Sequence, residues 1–253
     1  VFSCGIAAKQ MADKVNARIV SNGVKGEVHT YSVTDYAESV INAASGVYSD
    51  KAVNAVKAML NYGTAAQQYF GYNTDNPANS IMTDDDKNMD MVGFNTYTGK
   101  LVNADSVSGI SYYGSSLVLE SDTILRNYFE LSDGYNIDNY TFYVKDKDGN
   151  KNIIAPQKTD ASLYYIDISN VKAYELADNV NIYVQKNGDS EDKIMMLEYG
   201  AYVYARYVDK YLDNTALKNL MTAMYHYCYG ICKYILIFLI CDYIIISKAH
   251  FEM

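Results

Sequence analysis

The sequence predicts an α+β chain: two αα-hairpins forming one helical bundle, an antiparallel immunoglobulin-like β-sandwich inserted between them, and a β-hairpin in front. Three observations carry this expectation. Ala58-Met59-Leu60-Asn61-Tyr62 is echoed 165 residues later by Ala223-Met224-Tyr225-His226-Tyr227. Both copies lie in apolar patterns of helical period. Between them, from Val107 to Glu198, the chain changes to short Tyr-, Val- and Ile-rich runs separated by turn residues, the pattern of antiparallel strands.

Residues 1–32 read as a β-hairpin that ends an upstream sheet. Met11, Val15, Ala17 and Ile19 share one parity, Ser21-Asn22-Gly23 is a turn signal, and Val24 to Ser32 return. The start at Val1, without a signal-peptide pattern, reads as a fragment of a longer chain. Residues 33–72 read as the first helical hairpin. Thr34 is the expected N-cap, with Asp35 in the first turn. Ser49 or Asp50 caps the second helix, and Gly71 stops it. Val53, Val56, Met59, Leu60, Gly63, Ala66 and Phe70 form its apolar stripe.

Residues 73–106 are rich in Asn and Asp and read as a surface linker. Residues 107–198 hold eight candidate strands: 108–113, 116–120, 123–131, 140–147, 151–155, 162–168, 179–185 and 192–198. Asp133-Gly134, Asp148-Gly149 and Asn187-Gly188 supply turns. Short strands at this spacing argue for a sandwich, without the Cys and Trp of antibody domains. Residues 199–227 read as a second helical hairpin packing on 33–72. Neither hairpin buries much alone, and together they could close a bundle.

Residues 228–253 form an aberrant hydrophobic tail that carries three of the four cysteines. Residues 231–246 are apolar apart from Lys233 and Asp242. A membrane span needs about 20 apolar residues, and a central Asp costs about 3 kcal/mol. The tail admits three readings: a membrane anchor, a buried element, or out-of-frame translation. Loss of the helix echo at Cys228 favours the last. Membrane contact is expected only if 231–246 is genuine.

Composition limits function. The net charge of −9 repels phosphate backbones, so no nucleic-acid partner is expected. Residues 5–227 contain no cysteine, so the main body needs no disulfide framework. Cys228 and Cys232 stand one helical turn apart but lack a second ligand pair for zinc. His29, His226 and His250 sit in no nucleophile or metal motif, and His226 reads as a helix-surface position. Asp84, Asp85, Asp86 and Asp90 do not fit the EF-hand spacing and read as solvated linker. Asp146 to Asn150 reads as a hairpin turn. Glu120, Asp122, Glu130 and Asp133 offer carboxylates, but no two stand out as a glycosidase pair. No catalytic residue, cofactor or metal is therefore expected.

Tyrosine is the outlier, with 27 Tyr against 7 Phe and no Trp. A ring with a polar tip suits half-exposed sheets and recognition surfaces. Tyr112, Tyr128, Tyr143 and Tyr164 are the candidate recognition face. Packing within Tyr-rich strands is the simpler alternative.

Several strings carry a resemblance: TYSVTDYAESVI (30–41), AVKAMLNYGTAAQQYFGYNTDNPAN (55–79), YYGSSLVLESDTILRNYF (112–129), LEYGAYVYARYV (197–208) and LKNLMTAMYHY (217–227). Together they resemble an uncharacterised module of large secreted or cell-wall proteins of Gram-positive anaerobes, often found beside leucine-rich or other surface repeats. The resemblance covers residues 5–227 and departs after Tyr227, where Gly-x-Ala-Ala would continue the pattern. It implies an extracellular or cell-surface location and no catalytic residues. The expected role is a non-catalytic structural or binding module, with polysaccharide or a host surface protein as partner. The alternative is a carbohydrate-binding accessory region of a surface hydrolase.

Overall fold

The computed structural model describes residues 5–88, 101–102, 106–119, 123–146, 148–169, 171–172, 175, 179–189, 193–198 and 213–235. The chain divides into two compact units, residues 1–90 with 214–253, and residues 91–213.

In the first unit, β1 (Val15–Ala17) pairs antiparallel with β4 (His29–Tyr31), and β2 (Val20–Ser21) with β3 (Val24–Lys25). Asn22 (φ 49°) and Gly23 (φ 80°) take the two left-handed positions of the tight turn, which is why Asn-Gly stands there. The ribbon is mostly exposed; Met11 and Ala12 ahead of it enter the core. Helix α1 (Val33–Ile41) is capped by Ser32, not by the expected Thr34. Ser32 Oγ accepts from Asp35 N at 3.0 Å, and Asp35 Oδ2 accepts from Ser32 N at 2.9 Å. This reciprocal box satisfies two helix-end donors at once. The Thr34 hydroxyl instead donates to Met11 O.

Helix α2 (Asp50–Phe70) starts at Ser49, whose Oγ accepts from Ala52 N, and ends on left-handed Gly71. It is the axis of the unit. Met59 and Leu60 pack with Val33, Ala37, Ala78 and Met82. Helix α4 (Thr215–Ile235) lies against α2 and buries Leu217, Leu220, Met221, Ala223 and Met224. Tyr62 and Tyr227 stack with ring centroids 5.7 Å apart.

A polar stripe at three-residue steps breaks the apolar pattern of α2. Asn61, Thr64 and Gln67 are all buried. They hold the segment that follows the helix, which includes the single-turn helix α3 (Asp84–Lys87). Gln67 Nε2 donates to Asn73 O and Asn76 O, and Gln67 Oε1 accepts from Ala78 N at 2.8 Å. Thr64 Oγ1 accepts from Asn79 N, and Asn61 links to Asp86 O and to Asn79 Nδ2. Residues 73–88 are thus pinned to α2, where the sequence read as a linker. Most of these bonds use backbone atoms of the segment; of its Asn and Asp side chains, Asn79 and Asp86 reach α2. Residues 89–100 lie outside the described residues.

The described residues of the second unit are mainly β-structure. β6 (Ile110–Leu119), β7 (Thr123–Leu131), β10 (Gln157–Lys158) and β11 (Tyr164–Ile168) form a four-stranded antiparallel sheet in the order β10-β11-β7-β6. β5 (Leu101–Val102), β8 (Tyr140–Lys145), β9 (Lys151–Ile154), β12 (Asn179–Lys186) and β13 (Lys193–Glu198) form a five-stranded sheet in the order β5-β13-β12-β8-β9. Ile110, Phe129 and Ile166 of the first sheet share a core with Phe142, Ile182 and Val184 of the second. The two runs read as 108–113 and 116–120 are one strand, β6, because a bulge between Tyr112 and Gly114 carries the ladder through. Gly109 (φ 84°) approaches the Tyr135 ring so closely that a Cβ there would strike it.

The expected architecture is corrected. The structure is mixed α+β, with four α-helices among the described residues and strands divided among four antiparallel sheets of two, two, four and five strands. Among the described residues, a helical bundle built from two αα-hairpins around an immunoglobulin-like sandwich is not shown, and no barrel closes. On α2, a buried face is taken by residues 73–88, which Asn61, Thr64 and Gln67 hold by hydrogen bonds. In the second unit the turns at left-handed Gly149 and Gly188 pair β8 with β9 and β12 with β13, while the connection through Gly134 carries the chain from the four-stranded to the five-stranded sheet. The expected helix at 199–211 lies outside the described residues. Helix α4 runs on to Ile235, past the point where the echo fails; residues 236–253 lie outside the described residues.

Candidate functional site

Strand alternation gives the four-stranded sheet two chemically distinct faces. Leu125, Asn127 and Phe129 of β7 point to the core side and are fully buried. Arg126 and Tyr128 therefore stand on the other side. The register sets Asp167 opposite Arg126 and Tyr165 opposite Tyr128 on β11. Gly114 and Ser116 of β6 face Tyr128 and Arg126, and Gln157 of β10 faces Tyr165.

These groups are mutually fixed. Arg126 Nε and Nη2 donate to the two Asp167 carboxylate oxygens at 2.7 and 2.8 Å. That fork geometry is the strongest form of a side-chain ion pair. The carboxylate pushes the Arg126 guanidinium above its already high value. The guanidinium carbon also lies 4.0 Å from the Tyr165 ring centroid, a cation–π contact worth about 0.5–2 kcal/mol. The Tyr128 and Tyr165 centroids are 6.1 Å apart, with planes at 51°. Tyr165 Oη donates to Gln157 Oε1 at 2.6 Å, and Tyr128 Oη shares a hydrogen bond with Ser116 Oγ at 3.2 Å. Gly114 leaves open space where a side chain would stand. The result is a half-buried patch of two anchored rings, one self-neutralised ion pair and a notch.

The four tyrosines read from the sequence do not form one face. Tyr128 alone lies on this patch. Tyr112 packs on the shared core, edge-on to Phe129 at 6.0 Å. Tyr164 is registered with Phe129 and so takes the core side. Tyr143 is fully buried and stacks on Tyr183 at 5.0 Å and 6°, with Lys151 Nζ over its ring at 4.3 Å. Adjacent Tyr164 and Tyr165 must point to opposite faces, and the register selects Tyr165 for the patch. Arg126, Asp167, Gln157 and Gly114 were not foreseen. Alternation outward from the Leu125, Phe129, Leu131 parity would have found Arg126 and Tyr128.

Two of the remaining carboxylate candidates, Asp86 and Asp146, hold local structure. Asp86 forms an ion pair with Lys57 at 2.7 Å and accepts from Thr83 Oγ1. Lys57 holds the Asp86 carboxyl below the usual range. Asp146 Oδ1 accepts from Asp148 N and Asn150 N, and Oδ2 from Asn150 Nδ2, which closes a turn on left-handed Gly149. These bonds, the Asn150 side chain first, lower the Asp146 carboxyl. A cleft of about 470 Å³ beside this turn is lined by Lys145, Ile168 and Tyr183 among others, and Asp146 is its one carboxylate among the described residues. His226 is a part-exposed position of α4, beside the Tyr225 ring. Glu130 and Asp133 are exposed, while Glu120, Asp122 and His250 lie outside the described residues. Among the described residues no group of three His, Cys, Asp or Glu could hold a metal ion, and no helix is long and apolar enough to cross a membrane.

No family model, curated protein or solved structure matches this chain.

Proposed function

We propose that this chain is a non-catalytic binding module of a bacterial cell-surface or secreted protein, with a polysaccharide or a host surface protein as its ligand. The observation that carries the reading is the outer face of the four-stranded sheet. There Tyr128 and Tyr165 are held at 6.1 Å, with Arg126 and Asp167 fixed beside them. Amphipathic rings immobilised before binding lose little conformational entropy on contact, which favours recognition. The tyrosine-rich composition and the resemblance of residues 5–227 to a surface-protein module support the location. The accessory-region reading keeps the same face as the polymer contact of a neighbouring hydrolase.

A glycan array and a panel of immobilised extracellular-matrix proteins, both probed with the full chain, test this reading. Saturable binding on either supports it. Silence on both overturns it, as does release of reducing ends from a bound polymer by the chain alone.

A further inference from the structure

We infer that the face around Tyr128, Tyr165 and the Arg126–Asp167 pair binds an uncharged polysaccharide strand and discriminates against acidic ones. This rests on the proposed binding role and assigns its site and ligand class.

Three features of the face carry the inference. The first is shape. Two part-exposed rings side by side on adjacent strands, 6.1 Å apart and inclined at 51°, offer apolar surface to the C–H faces of a pyranose chain, with one face of Tyr165 backed by the Arg126 guanidinium. Gly114, across from Tyr128, has no heavy atom within 4 Å of where its Cβ would be, so a sugar ring can descend beside Tyr128. The second is polar edging. The Tyr128 and Tyr165 hydroxyls, Gln157 and the ion pair present donors and acceptors at fixed positions around the rings. A sugar hydroxyl both donates and accepts, and such a mixed rim matches it. A rim of cations would match phosphate or carboxylate instead.

The third feature is charge, and it selects among sugars. Both Arg126 donors on the pair are taken by Asp167 at 2.7 and 2.8 Å. A uronate would have to displace that carboxylate or sit beside it as a like charge. The whole chain carries a net charge of −9, which adds long-range repulsion. A neutral polymer meets neither obstacle.

Affinity electrophoresis of the full chain in gels containing a neutral mixed-linkage β-glucan, a neutral galactomannan or acidic polygalacturonate tests this inference. At least one neutral polymer should retard the chain and polygalacturonate should not. Tyr165→Ala and Tyr128→Ala should each weaken that retardation about ten-fold. Gly114→Leu should block it by filling the notch while removing no existing contact, so it serves where a Tyr variant fails to fold. Asp167→Asn removes the charge that neutralises Arg126 and should create retardation by polygalacturonate that the parent lacks. Neutral-polymer retardation that survives Tyr165→Ala and Gly114→Leu overturns this site and leaves the binding role standing. Stronger retardation of the parent by polygalacturonate overturns the ligand class. No retardation by any polymer overturns this inference, while the array and matrix panel decide the broader role.

Discussion

Tyr62 and Tyr227 occupy the same place in the two echoed segments, and they are the two residues whose rings stack, at 5.7 Å and 20°. The echo is therefore a contact: each copy supplies one side of the α2–α4 seam. Burial pushes the Tyr62 phenol up to about 12. A raised pKa leaves the folded state protonated where the unfolded chain ionises. Its stabilisation is complete below about pH 10 and is lost as pH rises toward 12. The loss across that window is on the order of 2–3 kcal/mol. Urea titrations from pH 9 to 12 should show the first unit weakening, and Tyr62→Phe should flatten that slope. Parallel slopes in parent and variant would assign the alkaline loss to other groups.

Gln67 uses both ends of its amide on residues 73–78. Gln67→Leu keeps much of the volume but strands a buried backbone N–H and frees two carbonyls. Leaving buried polar groups unmet costs about 1–3 kcal/mol each, against a gain of about 1 kcal/mol from the more apolar side chain. A net loss of about 2–4 kcal/mol is expected in denaturant unfolding. Hydrogen exchange should show faster exchange at Ala78 and Asn79 before anywhere else.

Gly63 sits mid-helix, where alanine would ordinarily gain about 1 kcal/mol of helix propensity. Here a Cβ would lie 2.8 Å from Met11 Sδ, 3.0 Å from Ala78 Cβ and 3.3 Å from Ala8 O. The sulfur can move, but the other two atoms belong to packed backbone or sit directly on it. Overpacking costs about 1–3 kcal/mol, so Gly63→Ala should lower stability despite its propensity. A raised melting temperature for this variant would show that residues 8–11 yield freely.

Asp86 is held below the usual carboxyl range by Lys57 and Thr83. A lowered pKa gives stabilisation that is present above the unfolded value near pH 4 and lost as pH falls through the folded value. The pair is partly exposed, so its worth is modest, about 0.2–1 kcal/mol. Residues 73–88 should therefore loosen on acidification below pH 4. Lys57→Met should remove part of that acid sensitivity, read as exchange rates in 73–88 at pH 3 and pH 6.

Local grammar was legible wherever one residue type answers one backbone demand. Helix α2 runs from the Ser49 cap to Gly71 as its sequence indicates, and Asn22-Gly23 closes the ribbon. Strand 123–131 also coincides with its reading. What failed were inferences about partners in space. The polar residues Asn61, Thr64 and Gln67 stand outside the apolar stripe read for α2, yet their three-residue spacing marks a second buried face that grips the following segment. Asn- and Asp-rich composition looked like a solvated linker because composition does not say where hydrogen bonds end. The tyrosine face was misjudged because a period of two tells which residues share a side, while register tells which side is the core. The bulge at Tyr112 and Gly114 adds a further slip that alternation alone cannot place.

The first unit is assembled from two separate stretches of the chain, with α2 before residues 91–213 in the sequence and α4 after them. On the ribosome, the seam that stacks Tyr62 on Tyr227 has no second half until the intervening β-unit has been synthesised, on the order of ten seconds later. During that wait the face of α2 destined for α4 is uncovered, while the strands of the second unit can already find one another. The order of birth thus favours an independent β-unit and a late-clasping helical one, and any arrest of translation before Leu217 releases a chain with its apolar seam open.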